Sequence, residues 1–185
     1  RYVNQSQINM QAGITFAVGL RAFLRHSPDI IFLGEIRDKE TAEVSVNSAL
    51  TGHALISTIH TNDAPSTVFR LADLGVQRFL IGATLNAILA QRLVRKICPN
   101  CIVSADADQS IVSKIKAALG KEAERTSFPK AVFRGKGFDL CGESGYKGRM
   151  GIFELLIIDE EIRKIVADSS TTLDELKKVA KTQGM

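Results

Sequence analysis

Glu35 lies just past four large apolar residues, in the stretch Ser27-Pro28-Asp29-Ile30-Ile31-Phe32-Leu33-Gly34-Glu35-Ile36-Arg37-Asp38. A carboxylate held where a buried strand ends can bind a magnesium ion or orient a water. Pro28 drives the residue before it out of the helical region, so a preceding helix stops there. The apolar run reads as a central strand covered on both faces. Gly34 lets the backbone bend, and Glu35 then emerges at the strand's carboxyl end, the edge where open parallel sheets bind ligands. A strand closed by a solvated acidic turn would use the same residues, and they leave both readings open.

Two histidines stand near the next apolar run. His53 and His60 are seven residues apart along an extended segment, so they sit at its opposite ends and are not a chelating pair. His60 shares the carboxyl edge with Glu35, where an imidazole can contact a terminal phosphate. Either histidine could instead fill a polar niche. Arg21 and Arg25, four apart, share one helix face. Such a pair can meet phosphate oxygens bidentately or simply stay solvated. Cys98-Pro99-Asn100-Cys101 is half of a zinc ribbon, and Cys141 is a third thiol. A structural zinc takes four ligands. No histidine follows His60, so the fourth would be Asp139, water or a residue from elsewhere.

The elements that must place these groups alternate. Ile14 to His26 reads as a helix capped by Thr15, with Phe16, Leu20, Phe23 and Leu24 on one stripe. Asp38 can cap a second helix that runs to Leu50 and stops at Gly52. Ala54 to His60 is a second strand. Asn62 or Asp63 leads into a third helix, with Val68, Leu71 and Leu74, ending near Gly75. Phe79 to about Arg92 is a further helix-like segment. Strands and helices at this spacing predict a parallel α/β sheet. From Cys98 to about Gly148 the composition changes to a small inserted module, with a short amphipathic helix (Ile111, Ile115, Leu119) between loops. Gly151 to Asp159 is strand-like. Two helices, 160–167 and 173–181, close the chain, the second capped by Thr171 or Thr172. Arg1 to Gly13 is polar and could be a strand edge or a loop.

The 185 residues have room for a real core; 45% are hydrophobic and 24% charged, as in ordinary globular domains. A net charge of +4 suits an anionic ligand without arguing for nucleic acid. No apolar run approaches the roughly 20 residues that span a bilayer. The chain starts at Arg1 in mid-sequence, as a piece of a longer protein would.

Taken in order, these segments resemble the hexameric secretion-superfamily ATPases that power type II secretion and type IV pilus assembly. Leu20-Arg21-x-x-Leu24-Arg25-x-x-Pro28-Asp29 resembles the end of that family's aspartate box, and Asp29 to Asp38 its Walker B segment. Thr51-Gly52-His53 through Ser57-Thr58-Ile59-His60-Thr61-Asn62-Asp63-Ala64 resembles its histidine box. Leu89-Ala90-Gln91-Arg92-Leu93-Val94-Arg95 and the Cys-x-x-Cys after it resemble the entry to its tetracysteine module, and Gly145-Tyr146-x-Gly148-Arg149-x-Gly151-Ile152-Phe153-Glu154 the exit.

The resemblance implies an α/β fold: part of a RecA-like P-loop NTPase core over 1–97, a degenerate zinc-ribbon-like tetracysteine module over 98–147, and a C-terminal strand and helices over 148–185. It implies Glu35 as the catalytic acid near magnesium, with His60 and His53 in the γ-phosphate-sensing box. Arg21, Arg25, Arg37 and Asp38 would lie along the nucleotide or the subunit interface. ATP with Mg2+ would be the ligand, a hexameric ring the assembly, and an inner-membrane platform protein the partner, with the motor on the cytoplasmic face and not crossing the membrane.

Three departures matter. No glycine-rich loop with Lys-Ser/Thr occurs in the chain, so alone it is not expected to hydrolyse ATP. Ser27 stands where the family often has Asp. Phe138 stands where the second cysteine pair begins, leaving Cys98, Cys101 and Cys141, so stable tetrahedral zinc is not expected. A non-catalytic contact module and a RecA-like nucleic-acid translocase are the alternatives; the mild charge and the lack of an aromatic-basic stripe weigh against the latter.

Overall fold

Thr15 starts the first helix: its hydroxyl accepts a hydrogen bond from the Val18 amide at 3.1 Å, and α1 runs Phe16–Leu24. The computed structural model describes residues 3–124 and 126–185; Arg1 and Tyr2, at the head of the polar stretch, lie outside them. After α1 come β1 (Ile30–Leu33), α2 (Lys39–Leu50), β2 (Ala54–Ser57), α3 (Ser66–Asp73) and α4 (Arg78–Thr84). Then follow β3 (Ala87–Ile97), β4 (Ile102–Asp106), α5 (Gln109–Leu119), β5 (Ala131–Gly135), β6 (Tyr146–Ile157), α6 (Glu160–Ala167) and α7 (Leu173–Thr182). The chain divides into two units, one of Arg1–Gln91 with Phe153–Met185 and the other of Arg92–Ile152.

In the first unit β1 and β2 pair in parallel, Ile30 opposite Ala54 and Leu33 opposite Ser57. Ile31 and Leu33 are buried with Leu20 of α1, and Phe16, Leu24 and Val44 pack against them. The other face differs from expectation. The unbroken apolar run predicts cover on both sides, yet Ile30 is 68% and Phe32 73% exposed, beside an exposed Ile56. Side chains alternate along a strand, and among the described residues helices pack on one side of this pair only. Gly34 bends the chain as expected, and its missing Cβ serves a second need: a methyl there would lie 3.1 Å from the Phe16 ring.

A second correction concerns the segment from Phe79 to Arg92. Only α4 is helical, ending at Thr84, and Ala87 onward is β3. The Ala-Leu-Gln-Arg composition favours a helix locally, but pairing with β6 supplies a ladder and a packing surface that override it. The parallel pairing expected of the alternating strands and helices holds for β1 and β2; in the inserted module β4 and β5 run antiparallel.

The larger core gathers Val46, Val68, Leu71, Ile81, Ile88, Leu156, Ile162, Val166 and Leu176. Reciprocal arginines lock α4 to α6. Arg78 donates from Nε to the Val166 carbonyl at 2.8 Å, while Arg163 donates to the carbonyl of Gly82. Carbonyls at helix ends lack partners of their own, so each guanidinium satisfies the other helix's terminus. The α7 helix begins with a capping box: Thr172 Oγ1 accepts from the Glu175 amide, and the Glu175 carboxylate accepts from the Thr172 amide at 2.7 Å.

Candidate active site

The loops after β1 and β2 are stitched together. The Ile36 amide donates to the Thr58 carbonyl at 2.9 Å, and Thr58 Oγ1 donates to the Gly34 carbonyl at 2.8 Å. Parallel pairing already puts both strands' carboxyl ends side by side, and these two bonds fix Glu35 against His60. His60 Nε2 lies 3.4 Å from Glu35 Oε2, and Arg37 Nε pairs with the same oxygen. The Glu35 side chain is only 18% exposed, whereas those of Arg37 and His60 project into solvent. Ile36, Arg37, His60 and Arg70 line a pocket of about 300 Å3 beside them. One largely buried anion thus meets two exposed nitrogen-bearing side chains, and a third, Arg70, lines the pocket beside them, an arrangement that can hold phosphate oxygens with a carboxylate nearby.

The segment following His60 is fixed on its far side. Asp63 Oδ1 accepts from the Ser66 amide at 2.9 Å, starting α3, and Asp63 Oδ2 pairs with Lys177 Nζ at 2.7 Å. Burial raises the Asp63 pKa, but hydrogen bonds from Lys177 and Ser66 outweigh it and hold the carboxyl below its usual range. The Ala64 amide donates to Glu154 Oε2 at 3.1 Å.

The other residues singled out from the sequence sit apart. His53 lies at the amino end of β2, its Nδ1 3.1 Å from both the Ser48 carbonyl and Thr51 Oγ1, where it satisfies the end of α2. Asp38 uses both oxygens on Thr41, accepting from its amide at 2.8 Å and its hydroxyl at 3.0 Å, as the cap of α2. Arg21 pairs with Glu40 at 2.7 Å. Arg21 and Arg25 line a separate groove on α1 with Val18, Ala22 and His26.

In the second unit the Sγ atoms of Cys98, Cys101 and Cys141 lie within 4.8 Å of one another. Cys101 and Cys141 are 4.0 Å apart. Thiolates about 2.3 Å from one zinc would be ~3.8 Å apart, so the donor set fits three of four ligands. Two matching turns build it: the Cys101 amide donates to the Cys98 carbonyl, and the Cys141 amide to the Phe138 carbonyl. Phe138 therefore occupies, in the second turn, the place of Cys98 in the first. Burial raises the Cys101 pKa. The same effect on Cys141 is outweighed by hydrogen bonds from the backbone at Phe138 and Gly145 and by the neighbouring thiols, which lower it.

The profile of the family described as "Type II/IV secretion system protein" matches residues 1–184. The chain belongs to this family. It is 48% identical over 184 residues to the type IV pilus assembly ATPase PilB of Thermus thermophilus, covering 99% of this chain and 20% of that protein. It is 41% identical to type II secretion system protein E of Pseudomonas aeruginosa, covering 98% of this chain and 35% of the relative. The crystal structure of the pilus retraction motor PilT with bound ADP superposes with a TM-score of 0.57 at 27% identity, over 91% of this chain and 36% of that one. The Legionella pneumophila ATPase DotB shares the fold, at a TM-score of 0.60 and 22% identity, over 98% of this chain and 37% of that one. The secretion-family chain thus spans about a fifth to a third of the curated relatives it matches.

Within this secretion-family fold, three residues near the site escaped the sequence reading. Arg70 reaches the pocket because α3 starts just beyond the His60 segment; a cation one turn into a helix that follows a candidate site was the available signal. Glu154 and Lys177 carried none, since their partners lie far away along the chain.

Proposed function

We propose that this chain forms part of a motor ATPase that hydrolyses ATP to drive type IV pilus assembly or type II secretion. The observation that carries the reading is the Glu35 carboxylate, half-buried at the carboxyl edge of a parallel strand pair and shared by Arg37 and His60. Chemistry of this kind works by position and charge. His60, Arg37 and Arg70 would hold the phosphate oxygens of a nucleotide in the adjoining pocket. Phosphate competes with Glu35 for the Arg37 guanidinium, and a carboxylate freed from its cation can orient a water and accept its proton. Mg2+ bound with the nucleotide would offset phosphate charge, and Glu35 is the hard oxygen donor suited to its shell. Arg21 and Arg25 offer a second cationic surface, suited to a nucleotide or a ring neighbour.

We propose a RecA-like P-loop core within a longer chain, working as a six-membered ring at the cytoplasmic face of the inner membrane against a platform protein, as the sequence resemblance implies; relatives named as a pilus assembly ATPase and a secretion system protein support the motor reading. Among the described residues no helix is long and apolar enough to cross a membrane. The phosphate cradle would come from outside these 185 residues, which hold no glycine-rich loop with Lys-Ser/Thr. The test is phosphate release from ATP. The full-length protein is expected to turn over with Mg2+ and residues 1–185 alone to be inactive. A full-length protein that binds no nucleotide would support a contact module instead.

We infer that the thiol cluster binds zinc weakly, with Cys98, Cys101 and Cys141 as ligands and a solvent position open. Zinc there would staple the two turns together. Elemental analysis after dialysis against a mild chelator is expected to find well under one zinc per chain, and Phe138→Cys to raise it toward one. Full retention in the unaltered protein, or no gain in the variant, contradicts this.

A further inference from the structure

The segment from His60 to Pro65 is anchored from both ends of the chain. On one side His60 meets Glu35 at 3.4 Å. On the other, Asp63 meets Lys177 at 2.7 Å and the Ala64 amide meets Glu154 at 3.1 Å. Between these anchors Thr61 Oγ1 donates to the Asp63 carbonyl at 3.2 Å and lies 3.0 Å from Thr67 Oγ1. The segment has little room to relax: Ala64 is fully buried, Pro65 packs beside it, and Thr67 is buried in the first turn of α3.

Lys177 is itself well placed to hold something. Its neighbour Leu176 and Ala180 are fully buried in the core, so the backbone of α7 is fixed. The Lys177 side chain is about two-thirds buried, and that of Asp63 is more so. A pair this shielded is less screened than a surface ion pair. Glu154 rises from β6 between Phe153 and Leu155, and a charged acceptor on a backbone amide is a strong, directional bond. Among the described residues, the anchor of His60 on its own side is the long contact to Glu35, and its imidazole is otherwise exposed.

We propose that Lys177 and Glu154 are positioning residues for the Glu35–His60 site: they hold the 60–65 segment from behind and thereby set where the imidazole meets the carboxylate. The proposal rests on the reading of Glu35 and His60 as the reaction centre. It also makes α7 a handle on that centre, since any shift of the helix pulls on Asp63 and, through it, on His60. Misplacing a catalytic group by a fraction of an ångström costs turnover more than affinity.

The test is a double-mutant cycle in the full-length protein. Lys177→Met is expected to lower kcat for ATP hydrolysis about tenfold, with KM for ATP changed by less than about twofold and only a modest fall in the thermal midpoint from leaving the Asp63 carboxylate unpaired. Lys177→Arg should restore most of the loss. In a His60→Ala background, Lys177→Met should cost nothing further, because a residue acting through another loses its effect when that partner is gone. A lysine that only supported the fold would lower kcat equally in both backgrounds. The tether is overturned if Lys177→Met keeps normal kcat, or if its loss appears in full on top of His60→Ala. His60→Ala with normal turnover would overturn the reading of the site as well, so the two failures are told apart.

Discussion

Glu35→Gln in the full-length protein is expected to lower kcat for ATP hydrolysis by about a hundredfold or more, with ATP affinity within a few-fold of the unaltered protein. The amide keeps the shape of the side chain and its place at the end of β1. It cannot accept a proton, and it no longer draws Arg37 and His60 to one oxygen. Arg37 and His60 then remain free for phosphate, which is why binding survives while chemistry stops. Steady-state phosphate release and a nucleotide titration separate the two quantities. A variant that turns over normally removes Glu35 from the reaction; one that loses binding and turnover together makes it a structural residue.

The second large effect is on stability. Leu176→Ala is expected to cost about 2–5 kcal/mol of unfolding free energy. Leu176 is fully buried in the core with Ile81, Leu156 and Ile162, so truncation leaves a cavity among them. Urea unfolding should show a lower midpoint at nearly unchanged slope. A loss below about 1 kcal/mol would mean that α7 is not docked on this core in solution. The contrast with Lys177, one residue along, is informative: the leucine holds the helix to the fold, and the lysine carries the position of the helix to the 60–65 segment.

Much of the local architecture was legible because it is written locally. Thr15, Asp38 and Thr172 cap helices as their types and spacing predict, and Gly52 and Gly75 end helices at positive φ. Strand direction alone puts Glu35 and His60 on one edge, and the structure brings them to 3.4 Å. What was hidden depends on partners distant in the chain. The segment from Ala87 reads as a helix until β6 lies beside it. Glu154 finds the Ala64 amide across 90 residues, and no spacing rule reaches that far. The apolar stripe of α5 had the right period, but Ile111 and Ile115 are exposed, since a pattern announces a face without saying what covers it. Ile30 and Phe32 show the same for a strand.

The central claim is that Glu35, Arg37 and His60 face the terminal phosphate of a nucleotide. The most direct measurement is a structure of the full-length protein with Mg2+ and a non-hydrolysable ATP analogue. The γ-phosphate is expected within about 3 Å of His60, with Arg37 drawn from Glu35 toward it and the carboxylate directed at a water in line with the bond to be broken. A terminal phosphate bound elsewhere, with the Arg37–Glu35–His60 cluster closed as it stands, would contradict it.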